Sequence, residues 1–136
     1  MSTPQIITDT ATWQSPIYDR TNLDIINRTP KGYLNVSDIN RIEQNTKYLS
    51  DVLRLSLITK SWQYDNIPTS EEIERIRANA EKIIQKIIKT YKIEISKKPN
   101  YEDINKIEYA LDLAHNTLEN NKKLPFKLPT STLPFF

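Results

Sequence analysis

The sequence has no cysteine, and glycine, histidine and methionine occur once each in 136 residues. Without cysteine, the chain can form no disulfide, no thiolate metal site and no thiol nucleophile. Gly32 is the only glycine, and the loops that cradle phosphate groups or dinucleotides need several glycines for close backbone approach. We therefore expect no cofactor.

Groups suited to catalysis or metal binding are equally sparse. His115 is the only histidine, and its partner at helical spacing, Glu119, would make a weak two-ligand site. The adjacent carboxylates at 71–72 and 102–103 fall in the first turns of predicted helices, where the helix dipole accounts for them. A single histidine gives no convincing nucleophilic triad. We predict no catalytic residues, no metal ligands and no enzymatic activity.

The charge balance gives little attraction to polyanions or membranes. There are 19 basic and 17 acidic residues, for a net charge of +2, and no apolar run approaches the roughly 20 residues that span a bilayer. We recognise no signal peptide at the N-terminus. One face of the second predicted helix carries Lys82, Lys86, Lys89 and Lys92. A phosphate-binding stripe would have this pattern, but a solvated face is the usual explanation and the one we favour.

Apolar residues at three- and four-residue spacing predict three helices. The first runs from about Val36 to Ile58 after the N-cap Asn35, and the second follows a capping box formed by Thr69 and Glu72. The third runs from about Tyr101 to Asn120, with Asn100 as its cap. We predict an all-α fold, a three-helix bundle over residues 35–120 with extended arms at both ends.

The two arms are residues 1–34 and residues 121–136. Residues 1–34 lack sustained periodicity and contain three prolines, which predicts an extended N-terminal docking arm. Residues 121–136 are rich in proline and phenylalanine and fit a polyproline-like or edge-strand docking tail.

Aromatic residues outside the predicted helices suggest what the arms do. They could fold back over the bundle, or they could dock into neighbouring subunits, and we favour docking because aromatic residues dominate buried interface anchors. The residues predicted to contact partner proteins are Trp13, Tyr18, Arg20, Trp62, Phe126, Phe135 and Phe136.

The starts of the first and third predicted helices resemble each other. Residues 35–43 read Asn-Val-Ser-Asp-Ile-Asn-Arg-Ile-Glu, and residues 100–108 read Asn-Tyr-Glu-Asp-Ile-Asn-Lys-Ile-Glu. Each copy combines an N-cap with an acidic first turn and an isoleucine pair. Good helix starts look alike, which is the simpler explanation, but a duplicated helical unit would give the same pattern.

Part of the chain also resembles a known kind of protein. The residues that carry the resemblance are Trp13-Gln-Ser-Pro16-Ile-Tyr18-Asp19-Arg20-Thr21 and Lys31-Gly32-Tyr33-Leu34-Asn35, followed by Asp38-Ile39-Asn40-Arg41-Ile42-Glu43-Gln-Asn45-Thr-Lys-Tyr48-Leu49. This arm, turn and helix pattern is similar to one in tail and baseplate proteins of phages that infect Firmicutes. There it often begins tail-fibre, receptor-binding or minor structural proteins.

The resemblance implies a structural component of a phage tail or tail-like particle. The chain is too short for the fibre or carbohydrate-binding domains of the larger relatives, so a baseplate or fibre connector is expected. Its partners would be other virion subunits, with many copies in a symmetric assembly made in the host cytoplasm. A head or neck protein of the same virus is an alternative, and a small helical nucleic-acid-binding regulator is another.

Overall fold

The computed structural model describes residues 4–26, 35–64 and 68–122, and these residues are mostly helical. In chain order the elements are β1 (Gln5–Ile6), α1 (Asn22–Ile26), α2 (Val36–Val52), β2 (Lys60–Ser61), α3 (Ser70–Gln85) and α4 (Tyr101–Lys122). Each of the three long helices packs against the other two, and α3 and α4 share the most extensive contact. No helix in these three ranges is both long enough and apolar enough to cross a membrane.

Reciprocal caps begin α2 and α4. Asn35 Oδ1 accepts from the backbone N–H of Asp38 at 3.0 Å, and Asp38 Oδ2 accepts from the N–H of Asn35 at 3.1 Å. Asn100 and Asp103 exchange the same two bonds at 3.2 and 3.0 Å. Each box satisfies two backbone donors that the first helical turn leaves without a partner. The predicted caps of both helices are confirmed, and the two similar segments have the same local structure.

The first long helix is shorter than the prediction of a helix to Ile58. It ends at Val52, because Arg54 adopts a left-handed backbone with φ of 57°. The N–H of Arg54 then bonds to the carbonyl of Asp51, and the N–H of Leu55 to that of Ser50 at 2.7 Å. These two bonds close the helix as a Schellman motif. Glycine is the usual residue at the left-handed position of this motif, which Arg54 occupies here.

The second long helix also ends earlier than its apolar stripe. Of the two bonds of the predicted capping box, the structure shows the one in which the Thr69 side chain accepts from the N–H of Glu72, at 3.2 Å. After Gln85 the helix tightens, as the N–H groups of Lys86 and Ile87 bond three residues back. Ile87 stays buried although it lies beyond the helix. The apolar spacing from Ile73 to Tyr91 predicts a helix that ends near Lys97, so the predicted helix is too long, and Ile88 and Tyr91 are only half-buried.

The core forms where the apolar stripes of the long helices meet. Burying them supplies the main driving force for packing. Val52 at the end of α2 is 40% exposed, whereas all five residues that the apolar spacing assigns to the inner face of α4 are buried, namely Ile104, Ile107, Leu111, Ala114 and Leu118. The largest fully buried aliphatic side chains are Ile42, Leu49, Ile76, Ile83, Ile84, Ile87, Ile107 and Leu111.

The chain before α2 lies on this core. Gln5 and Ile6 of β1 pair antiparallel with Ser61 and Lys60 of β2, and the N–H of Ile7 donates to the carbonyl of Thr59 at 2.8 Å. Residues 7–21, the N-terminal strap, then run over α2 and α4 towards α1. For residues 4–21 the structure therefore favours the fold-back alternative over a free docking arm. Residues 1–3, 27–34 and 123–136 of the two predicted arms lie outside the described ranges.

Candidate interaction surface

Asparagine side chains fasten the strap to the helices. Asn45 Oδ1 accepts from the N–H of Gln14 and Asn45 Nδ2 donates to its carbonyl, both at 2.8 Å. Asn105 makes the same pair of bonds with the backbone of Arg20, at 3.3 and 3.0 Å. An extended segment without a neighbouring strand leaves its backbone polar groups unpaired, and each amide side chain satisfies one donor and one acceptor.

The same arrangement recurs on the segment after α2. The N–H of Trp62 donates to Asn40 Oδ1 at 2.7 Å, and the carbonyl of Trp62 accepts from Asn40 Nδ2 at 2.9 Å. Asn40 and Asn105 occupy equivalent positions in the two similar segments. The likeness of these segments therefore extends from the caps to a shared way of holding an extended backbone.

A buried charge cluster anchors the end of the strap. Arg20 Nη2 lies 2.8 Å from Glu108 Oε2 and 3.4 Å from Asp38 Oδ1, and the Arg20 and Glu108 side chains are each 1% exposed. Arg41 adds a second guanidinium, with Nη2 at 2.7 Å from Glu108 and 2.9 Å from Asp38. Burial opposes the charge of Arg41, but its hydrogen bonds with Glu108 and then Asp38 outweigh burial and raise the pKa of Arg41.

Glu43, the counterpart of Glu108 in the other similar segment, forms a second buried cluster. Glu43 Oε2 accepts from the indole N–H of Trp62 at 2.8 Å and from Arg75 Nη2 at 2.6 Å. Glu72 pairs with both Arg75 and Lys60 at the edge of this cluster. Burial alone would raise the pKa of Glu72, but the bonds from Lys60 and Arg75 lower it.

The single histidine belongs to an aromatic cluster. Its ring stacks on Trp13 with a centroid distance of 3.9 Å and an interplanar angle of 4°, and Tyr48 is tilted against both rings. His115 Nε2 also lies 3.8 Å from Glu119 Oε1. In this structure His115 therefore packs against Trp13 of the strap. Within the described ranges, no group of three His, Asp or Glu residues could hold a metal ion.

The outer surface beside the strap carries a groove of about 460 Å³, the tyrosine groove. It is lined chiefly by Tyr18, Tyr91, Lys92, Asn105, Lys106 and Tyr109. Tyr18 and Tyr109 are 40% and 46% exposed and meet edge to face at a centroid distance of 5.3 Å. The hydroxyl of Tyr18 donates to Asp112 at 2.8 Å, and this bond raises the pKa of Tyr18. Three tyrosines from separate parts of the chain thus converge on one open surface.

A second groove, the lysine groove, is lined by Lys82, Lys86 and Lys89 with Leu55 and Gln85. In the sequence, Glu81 interrupts this positive face. In the structure, Glu81 accepts from Arg77 Nη1 at 2.9 Å and from the N–H of Ile93 at 2.8 Å. Glu81 is thus bonded to groups that do not line the lysine groove.

The predicted docking residues divide into three groups. Trp62 and Arg20 are buried, and both are bonded to their own chain, which favours an internal structural role for them over the predicted docking. Trp13 is half-buried and packs against the core, whereas Tyr18 remains exposed in the tyrosine groove. Phe126, Phe135 and Phe136 lie outside the described residues.

The sequence prediction missed the structural use of buried polar residues. Glu43, Asn45 and Glu108 are fully or almost fully buried. Their signal was available, since each stands among the apolar positions of a predicted helix, where an unpartnered polar group would be costly. Buried polar residues need hydrogen-bond or ion-pair partners, but the sequence pattern does not indicate which residues those partners are.

No protein-family model, no curated protein and no solved structure matches this chain. The resemblance to phage tail and baseplate proteins therefore stays a prediction from the residues quoted above.

Proposed function

We propose that this chain is a non-enzymatic structural protein of a phage tail or tail-like particle, a connector at or near the baseplate. In this proposal the long helices form a three-helix bundle, and extended segments join it to other virion subunits. The protein would be made in the host cytoplasm, incorporated into the virion in many copies, and arranged symmetrically. It would need no cofactor.

The main support for the proposal is the structural role of the residues that resemble phage tail and baseplate proteins. Arg20 and Arg41 both pair with Asp38, Asn45 holds the backbone of Gln14, and Trp13 packs against Tyr48. The strap part of the pattern therefore lies on its helix part. A pattern of this kind serves a fixed shape, because its polar groups are consumed in holding the chain together. That use fits a building block better than a catalyst.

The strap unit also supports a mechanism of docking. A rigid core presents Tyr18 on its surface, and the sequence places Phe126, Phe135 and Phe136 in a tail that follows α4. Aromatic residues bury much area per contact and anchor interfaces. Several weak contacts in a symmetric particle then combine by effective concentration, so no single site has to be tight.

The experiment is localisation in purified particles. Particles are separated by density gradient, the protein is quantified by mass spectrometry, and an internal epitope tag is located by gold labelling in the electron microscope. Label at the tail tip supports the proposal. Label at the head or neck would establish the head-protein alternative, and absence of the protein from intact particles would refute both.

One observation favours a second candidate, the nucleic-acid-binding regulator. The lysine groove joins three ammonium groups, and Glu81 does not neutralise them, because it is bonded to Arg77 and Ile93. Three phosphate contacts predict an affinity for duplex DNA that falls with salt at a log–log slope of about −2.7.

Fluorescence anisotropy with a labelled duplex over a series of salt concentrations tests this candidate. Lys86→Ala should weaken binding and reduce the slope by about 1. The matched control is Lys47→Ala, because Lys47 is already paired with Asp51 at 2.9 Å. Absence of binding at low salt would eliminate the candidate.

A further inference from the structure

The tyrosine groove has the chemistry of a site for a proline-containing segment. Three tyrosines line it, and Tyr18 and Tyr109 leave large parts of their rings exposed at its mouth. Grooves lined by aromatic side chains often bind extended proline-rich segments. In such complexes the proline rings pack against the faces of the aromatic rings. Such a segment has unpaired backbone carbonyls. Lys92 and the hydroxyls of Tyr91 and Tyr109 supply donors for them.

The chain itself contains a segment of matching composition. After α4 the sequence reads Leu124-Pro-Phe-Lys-Leu-Pro-Thr-Ser-Thr-Leu-Pro-Phe-Phe136, with three Leu-Pro pairs and two Pro-Phe pairs. A residue before proline is biased towards extended backbone, so little ordering entropy is lost when such a segment binds.

We propose that residues 124–136 of one copy bind in the tyrosine groove of a second copy, so that copies join head to tail. The direction of α4 favours a second copy. Tyr109 lies thirteen residues before the end of α4 at Lys122, and at 1.5 Å per residue the helix carries the chain about 20 Å away from the groove. Returning over that distance at about 3.1 Å per residue would consume about half of the segment.

Such a contact uses different surfaces on its two partners. A contact of this type leaves one free groove and one free segment at the ends of any open chain, and therefore builds rings or filaments. This inference goes beyond the proposed function, since it requires no other virion protein and concerns the purified chain alone. Failure of self-association and failure of particle localisation are therefore separate results.

The test is the mass of the full-length protein in solution, measured by analytical ultracentrifugation over a concentration series. The groove variant is Tyr109→Ala, and the segment variant combines Leu133→Ser, Phe135→Ser and Phe136→Ser. The matched control is Tyr64→Ala, which removes a 90% exposed tyrosine outside the groove. Circular dichroism verifies that each variant keeps the helical content of the original protein.

The original protein and the Tyr64→Ala control should show a mass that rises with concentration, and each of the other two variants should stay monomeric. An equimolar mixture of the groove and segment variants should give a dimer and nothing larger, because only one competent groove and one competent segment remain. A monomeric original protein at every concentration would overturn the proposal and would be the result if the segment bound within its own chain. Unchanged association in the Tyr109→Ala variant, or no dimer in the mixture, would overturn it equally.

Discussion

Arg20 Nη2 lies 2.8 Å from Glu108 Oε2, although 88 residues separate the two along the chain. The contact joins the N-terminal strap to α4, and it is completed by Asp38 and Arg41 of α2. A guanidinium and a carboxylate buried to this degree stabilise the fold only as a complete set, because each is costly once its partner is lost. The cluster therefore holds the strap in place and makes it part of the domain.

Glu108→Ala should reduce the free energy of unfolding by about 3–5 kcal/mol, because it leaves Arg20 buried without its closest counter-ion. Chemical denaturation by urea, followed by circular dichroism, measures the loss. The matched control is Glu94→Ala, since Glu94 is exposed and its replacement should cost less than about 0.5 kcal/mol. Equal small losses in both variants would show that the cluster contributes little.

Asn45→Ala should cost about 1–3 kcal/mol, because it orphans both backbone groups of Gln14. The loss should be concentrated on the strap. Hydrogen exchange at the Gln14 amide should become faster, while exchange in the middle of α4 should change much less. Asn116→Ala is the control, as Asn116 lies exposed on α4 and its side chain makes one long bond, of 3.4 Å, to Asp112. Unchanged exchange at Gln14 in the Asn45 variant would contradict this role.

Arg54→Gly should stabilise the protein by about 0.5–1 kcal/mol. Arg54 holds a left-handed backbone in which its Cβ is unfavourable, and glycine adopts that conformation without the penalty. Part of the gain is offset because glycine has more freedom in the unfolded chain. Thermal unfolding should show a higher midpoint. The same replacement at Lys47, inside α2, is the control and should cost about 1 kcal/mol.

Acid should destabilise the fold through Glu72 and Asp103. The pKa of Glu72 is lowered from 4.5, since its bonds from Lys60 and Arg75 outweigh the effect of burial. The pKa of Asp103 is lowered from 3.8, since bonds from Ser96 and from the Asn100 N–H likewise outweigh burial. Both groups therefore bind protons more readily in the unfolded chain.

Their stabilising contribution is thus complete above these values and is lost as pH falls through the lower pKa of the folded state. The variant with Glu72→Gln and Asp103→Asn should show a flatter dependence of the urea midpoint on pH in this acidic range. An identical acid profile in the variant and the original protein would contradict the assignment.

Trp62→Phe should cost about 1–3 kcal/mol, because the Glu43 carboxylate loses the indole donor while most apolar burial is kept. Trp13→Phe keeps a ring beside His115 and breaks no indole hydrogen bond that the structure records, so it should cost less. Urea denaturation of both variants compares the two tryptophans. A smaller loss at Trp62 than at Trp13 would contradict the internal role given to Trp62.

Helices could be predicted from the sequence wherever the interactions that determine them are local. Asn35 with Asp38 and Asn100 with Asp103 start their helices through bonds that span three residues. Every residue assigned to the apolar stripe of α4 is buried, although Ala110 and Glu108 are buried as well. Helix ends were less predictable. Arg54 ends α2 in a conformation that glycine would have signalled, and the stripe of α3 continues into a turn because Ile87 is buried without being helical.

The candidate surface depended on contacts that no local pattern contains. No local pattern places Tyr18, Tyr91 and Tyr109 together, and they form a groove only after the strap and the turn after α3 meet α4. Trp62 was assigned to docking because it lies outside a helix, yet Asn40 and Glu43 hold its backbone and its indole inside the domain.

The sequence by itself determined which residues begin helices and which helix faces are apolar, because capping and periodicity act over a few residues. Only the tertiary structure decided where Arg20, Asn45, Glu108 and Trp62 belong. A buried polar side chain must find a partner, but its partner can lie anywhere in the chain, and only packing selects one.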